Sequence, residues 1–173
     1  MVDGHGDPNT APEYTDAVES LYAVAYKLKF FSKKIDRDYV VPPLEGLWWA
    51  EDMDTFSTAR DKSQWDWTMM IMTPEWITGE DTKQALKEVT QKKDFPSLEK
   101  LRWENYSEGL CAQILHLGSY DEEGPVLSRL HTEWMPDNGY VFNGKHHEIY
   151  LSDPRRVTSE KLKTILRQPI RKV

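Results

Sequence analysis

A single cysteine, Cys111, in 173 residues excludes an intrachain disulfide and any cysteine-cluster zinc site, and fits a reducing compartment, so a cytoplasmic location is expected. No apolar run approaches the roughly 20 residues that a membrane-spanning helix needs, and the N-terminus lacks the basic-then-apolar pattern of a signal peptide. Basic residues are also short: 22 Lys and Arg against 29 Asp and Glu leave a net charge of −7 with no basic stripe, so neither nucleic acid nor a membrane is an expected partner. There is no Gly-rich phosphate loop, Walker pattern or dinucleotide fingerprint, and no Ser or Cys nucleophile beside a base, so no cofactor is expected. Any catalysis must rest on carboxylate, Tyr, His or Trp. Aromatic side chains are abundant: seven Trp, eight Tyr and five Phe, with six Met. Core packing accounts for most such rings, but they are also what an apolar ligand cleft is made from.

Residues 1–12, rich in Gly, Pro, Asp and Asn, read as a loop with little room for a first strand. Asp16 has the chemistry of an N-cap, with Glu19 completing a capping box, and Ala17, Leu21, Val24, Ala25, Leu28 and Phe31 recur at helical spacing, so an amphipathic helix is predicted over 16–32. LEGLWW after Pro42-Pro43 reads as a strand, and WDWTMMIMT (65–73) as a strand covered on both faces, joined by a polar stretch at 51–63. Thr78 and Asp81 start a connecting helix over about 78–93. RWENY and LCAQILHLG flank Ser107-Glu108-Gly109 as a hairpin, and a helix from Pro125 carries Val126, Leu127, Leu130 and Trp134 on one face. YVF and HHEIYL around Asn143-Gly144 read as a second hairpin, and Leu162, Ile165 and Leu166 predict a C-terminal helix over about 158–168. The strand, helix, strand, strand order thus occurs twice, over about 1–73 and about 101–152. The expected class is α+β, a single domain of two pseudo-symmetric modules whose antiparallel sheet has helices on one face and a central ligand cleft.

His146 and His147 invite a metal, but adjacent strand residues point to opposite faces, so both cannot ligate one ion without a bulge; no metal is expected. Glu148 shares a face with His146 and Tyr150. It is either a solvated surface residue or a buried acid that must be hydrogen-bonded, ligand-paired or protonated. Trp48 and Trp49 point to opposite faces, so at least one needs a second apolar environment.

GHGDPN (4–9), LYAVAYKLKF (21–30), VPPLEGLWW (41–49), QILHLGSYDEE (113–123) and GKHHEIYLSDPRR (144–156) together resemble the GyrI-like small-molecule-binding family, more narrowly its free-standing bacterial members. The similarity runs over essentially the whole chain, which opens almost inside the first strand of that pattern, so either a shortened first edge or a Met1 internal to a longer chain is expected. The resemblance implies two strand-helix-strand-strand modules around a ligand cleft. In relatives fused to DNA-binding domains it implies a drug sensor whose glutamate, at the position of Glu148, meets cationic aromatic ligands. In some free-standing members it implies hydrolysis of cyclopropane-bearing, DNA-alkylating natural products by a catalytic glutamate between aromatic walls, and Glu148 again matches. The leading expectation is such a hydrolase for a flat aromatic small molecule. Glu148 would act as general base, Tyr106 or Tyr150 would donate to the ligand carbonyl, and Trp49 and Trp67 would stack on the ligand. Met69, Trp103, His116, Tyr140 and His146 complete the expected ligand-binding set. The alternative is a multidrug-binding or sensor domain without chemistry. A DNA-mimicking role toward gyrase ranks last, because the acids of EDMD (51–54) and DEE (121–123) are short runs that read as solvated turns.

Overall fold

The computed structural model describes residues 1–51 and 61–173. The chain separates into two units, residues 1–44 with 50–105 and residues 45–49 with 106–173. Most of the polar stretch at 51–63, including three residues of EDMD, lies outside the described residues.

In the first unit, β1 (Val2–His5) pairs antiparallel with β3 (Asp66–Ile71), Val2 opposite Met69 and Gly4 opposite Trp67. A first strand therefore forms where the loop-like composition left little room for one. β3 buries Trp67, Thr68, Met69 and Met70, so both its faces are covered, as its unbroken apolar pattern predicts. α1 (Pro12–Lys34) starts at Pro12 behind the N-cap Ala11, not behind Asp16. The fixed φ of proline suits a first helical turn, where its missing N–H is not needed. The Asp16 carboxylate instead accepts the Ser97 N–H at 2.6 Å. α2 (Gly79–Thr90) carries the capping box of Thr78 and Asp81, and its Ala85 and Val89 pack with Val24 and Leu28 of α1. The hairpin expected around Ser107-Glu108-Gly109 does not form. The Arg102 N–H donates to the Met1 carbonyl at 3.0 Å and its guanidinium holds both oxygens of Asp3 at 2.8 and 3.0 Å, so the chain at Arg102 is tied beside β1 as irregular structure.

In the second unit, the strand order is β2 (Leu44–Trp49), β6 (His146–Tyr150), β7 (Lys163–Lys172), β4 (Cys111–Leu117). β7 overturns the helix expected over 158–168. Leu162, Ile165 and Leu166 fit a helical spacing, but Thr164, Leu166, Gln168 and Ile170 are buried at the period of two that marks a strand, with Pro169 buried between the last two. The second hairpin is also replaced. β5 (Tyr140–Phe142) and β6 do not pair with each other; they lie end to end along one edge of β7, β6 against 164–167 and β5 against 170–172. Asn143-Gly144 is the joint between them. A Cβ on Gly144 would come within 3.1 Å of Pro169, so only glycine passes that crossing without displacement. β4 takes the other edge of β7.

The helix from residue 124 comprises α3 (Gly124–Arg129), a π-helical turn (Leu130–Trp134) and α4 (Met135–Asp137). The wider turn advances the buried stripe by one residue: Met135 is 1% exposed and packs on Ala112 and Ile170, while Trp134, placed by its spacing on the apolar face of the helix, is 43% exposed and stacks on Tyr140. The α+β class with antiparallel pairing is thus observed, with a helix against one sheet face in each unit.

Gly4 lies directly against Trp67, whose six-membered ring would come within 2.0 Å of any Cβ at position 4. Gly4→Ala is expected to lower the unfolding free energy by about 1–3 kcal/mol, measured by urea denaturation. Trp67→Phe, which removes that ring, should recover part of the loss when combined with it.

Candidate functional site

β6 sets three side chains in line on the helix-bearing face of the second unit: His146, Glu148 and Tyr150. The Tyr150 hydroxyl donates to Glu148 Oε2 at 2.7 Å and accepts the Trp48 indole N–H at 2.9 Å. One carboxylate oxygen is therefore pinned by a donor that is itself oriented from the far side. The other, Oε1, lies 3.3 Å from His146 Nε2, off the direction of a hydrogen bond. Glu148 is neither open surface nor sealed core: its side chain is 15% exposed. Tyr120, on a short 3-10 turn (Tyr120–Glu122), meets Tyr150 edge to face at 5.7 Å. Burial, reinforced by the Glu148, Glu123 and Asp153 carboxylates, pushes the Tyr120 hydroxyl up to about 12, so it remains a proton donor throughout the neutral range. His116 Nε2 donates to the Ser119 carbonyl at 3.0 Å and so holds the start of the turn that presents Tyr120.

Several polar atoms on this face are buried without a partner among the described residues: His131 Nε2, both ring nitrogens of His146, and Thr164 Oγ1. Thr164 stands opposite Tyr150 in the register. Each such group costs on the order of 1–3 kcal/mol when left unpaired.

The opposite face of β6 carries a different assembly. His147, 1% exposed, donates from Nδ1 to Glu108 at 2.8 Å and from Nε2 to Glu45 at 2.9 Å, and Arg167 donates to the second Glu108 oxygen at 3.0 Å. Burial works against the charge on His147, but the bonds to Glu108 and Glu45 outweigh it and hold its pKa above the ordinary value of 6.5. Burial likewise opposes the charge on Glu108, and His147 with Arg167 outweighs it and holds its pKa below 4.5. The two carboxylates sit at opposite ends of one ring, so they clamp it and cannot share an ion with it. Among the described residues no group of three or more His, Cys, Asp or Glu is arranged to hold a metal, and no helix is long and apolar enough to cross a membrane.

Of the residues singled out from sequence, Glu148, Tyr150 and His146 are brought together. Tyr106 is not: it lies against the edge of His147 on the other face, its hydroxyl pushed up to about 12 by burial and then by Glu108 and Cys111. Trp49 also faces that side, with Lys145 Nζ 3.1 Å from its ring centroid, and it is Trp48 that reaches Tyr150. Tyr140 stacks on Trp134 beneath Lys172. Trp67 and Met69 are fully buried in the first unit, where Trp67 packs against Tyr14, so they are core and not ligand wall. Trp103 belongs to that unit too, its ring against Gly79. Trp48, Tyr120 and His131 were missed. The opposed faces of the Trp48-Trp49 pair hinted at the first, and Tyr120 lies within QILHLGSYDEE, but nothing in the sequence marks the π-turn that carries His131.

Comparison with known proteins follows the same lines. The model of the GyrI-like small molecule binding domain matches residues 1–171. An uncharacterized conserved protein from Listeria innocua is 39% identical with a TM-score of 0.84, covering 98% of this chain and 85% of its own. Two structures from that organism are named as hydrolases. One is 38% identical with a TM-score of 0.82, and the other, encoded by lin2189, is 40% identical with a TM-score of 0.83; both cover 98% of this chain and 85% of their own. The C-terminal domain of EcmrR, 15% identical over 76% of this chain and 67% of its own with a TM-score of 0.50, shares the fold alone. No curated protein sequence matches the chain.

The clamp on His147 has a definite pH signature. A raised His pKa adds stability that is fully present below 6.5 and lost as the pH climbs through the folded value; the lowered Glu108 pKa adds stability present above 4.5 and lost as the pH falls. The stability gap between the native chain and His147→Gln is therefore expected to be widest between pH 4.5 and 6.5, at about 3 kcal/mol, and to narrow on both sides of that window in urea denaturation.

Proposed function

We propose, from the premise that this chain belongs to the GyrI-like small-molecule-binding family, that it is a hydrolase of flat, cyclopropane-bearing aromatic genotoxins and that Glu148 is its general base. The observation that carries this reading is the asymmetry of the Glu148 carboxylate: Oε2 is held by Tyr150, which leaves Oε1 as the atom that can take a proton. The hydrolase names of two Listeria proteins at 38 and 40% identity support the reaction class. The substrate class rests on the aromatic surroundings of Glu148 and on the family resemblance.

In the step proposed, a water held at Oε1 attacks the methylene carbon of a cyclopropane conjugated to a dienone. A carbon–oxygen bond forms and the strained carbon–carbon bond breaks. The released electron pair aromatises the adjoining ring and places negative charge on the former carbonyl oxygen, while Glu148 takes the proton of the attacking water. The phenolate is then protonated and Glu148 returns its proton to solvent. A donor aimed at the developing oxyanion lowers the barrier. Tyr120 fits that task, because the Tyr150 proton is directed at Glu148 and Tyr106 lies on the other face. Tyr120, half-buried, provides the aromatic surface on which a flat ligand stacks, and the buried Trp48 acts through its bond to Tyr150.

Glu148→Gln keeps the side-chain volume and can still accept from Tyr150, but it cannot take a proton. It is expected to bind a cyclopropanoid compound with nearly native affinity and to give no hydrated product by mass spectrometry. Turnover retained in the variant would contradict the assignment of Glu148. Unchanged compound recovered from a complex with the native chain would make the protein a binder without chemistry.

A further inference from the structure

The proposed reaction uses Glu148, Tyr150, Trp48 and Tyr120, and leaves unused the two imidazoles on the same face. The His146 side chain is only 10% exposed, and neither of its ring nitrogens has a hydrogen-bond partner among the described residues. His131 Nε2 is buried and likewise without a partner. Burial, helped by the neighbouring His146, pushes His131 down to about 4, so it is a neutral imidazole. Its place depends on a local irregularity. His131 belongs to the π-helical turn Leu130–Trp134, and its ring meets the edge of Phe142 on β5 at 4.9 Å. π-turns are rare and recur at functional sites.

A side chain that only filled space here would be apolar, because a buried imidazole without a partner is costly. The arrangement becomes favourable when something supplies the missing bonds. The neutral imidazole of His131 offers one N–H and one lone pair, and the unpartnered ring nitrogens of the neighbouring His146 add to them, so the pair matches a group that both donates and accepts. A cation would leave their N–H groups unanswered, and an anion would face the adjacent Glu148 carboxylate.

We propose that His131 and His146 form a hydrogen-bonding subsite, contiguous with Glu148, for an uncharged polar group of the aromatic ligand: a hydroxyl or an amide. The subsite rests on the reading of Glu148 as a ligand-facing carboxylate and adds to it the class of ligand. It makes the preferred ligand neutral and polar at one end, in contrast to the cationic aromatic compounds for which a carboxylate alone would select.

The test uses the full chain with two probes of nearly equal shape, 2-naphthol and naphthalene, in equilibrium dialysis. One well-formed hydrogen bond to a buried group corresponds to about a tenfold preference for 2-naphthol. His131→Phe and His146→Phe keep a flat ring in place and are expected to bring that ratio close to one while leaving the affinity for naphthalene within about twofold. Should either variant fail to fold, long-range proton–nitrogen NMR of the native chain reads the same contact: 2-naphthol shifts the ring nitrogens of both histidines and naphthalene does not. Equal binding of the two probes, an undiminished ratio in the variants, or unshifted imidazole nitrogens would overturn the subsite and leave trapped water as the partner of these rings. Failure of both probes to bind the native chain would overturn the Glu148 reading itself, and the subsite with it.

Discussion

The Tyr150 hydroxyl has one proton, and it is directed at Glu148 Oε2 because the Trp48 indole N–H occupies the hydroxyl oxygen from the other side. That polarised sequence of donors decides the character of the site. It keeps the carboxylate in one rotamer, satisfies one oxygen without neutralising the charge, and leaves the other oxygen to meet a ligand or a water. Without Trp48 the hydroxyl could turn away. Without Tyr150 neither carboxylate oxygen would have a hydrogen-bond donor among the described residues to hold it in place.

The rest of the second unit is arranged so that this sequence can exist. β7 is the strand that makes it possible: it pairs with β4 on one edge and with β5 and β6 in succession on the other, so one strand sets the register of three. Side chains then alternate strictly across the sheet. One face carries Glu148, bonded at one oxygen only, with His146 and Thr164, whose side chains have no hydrogen-bond partner among the described residues, and the other carries the fully compensated groups, His147 between Glu45 and Glu108 with Arg167 behind. The clamped imidazole of His147 ties β2 to β6 on one face, while on the other the ring nitrogens of His146 have no partner among the described residues. Adjacent histidines in one strand thus have opposite fates, set by the period of two and by which face lies under the helix.

Much of the site was legible in HHEIYL, where strand alternation alone places His146, Glu148 and Tyr150 on one face and His147 on the other. The two faces of Trp48-Trp49 were legible for the same reason, but which ring served Glu148 was not, because strand order is a long-range property. Tyr106 and Trp49 were assigned to the wrong side on that account. Trp67 looked like a possible ligand wall until Gly4 and Tyr14 closed over it. The C-terminal strand was hidden by Leu162, Ile165 and Leu166, whose spacing suits a helix as well as it suits alternate burial with Thr164 and Gln168. Asn143-Gly144 carries the chemistry of a tight hairpin, and here it joins two strands that share an edge of a third. The π-turn has no sequence signature, so Met135 in the core and His131 over Phe142 could not have been read in advance.

Glu148 acting on water, and not as a nucleophile or a mere counter-charge, is the central claim. Its most direct measurement is a single turnover of a cyclopropanoid compound by the native chain in water enriched in oxygen-18, followed by mass analysis of the product. Oxygen-18 in the alcohol formed in that first turnover is the predicted result. Oxygen-16 from the carboxylate, which would reveal a glutamyl ester intermediate, or recovery of the intact cyclopropane, would contradict it.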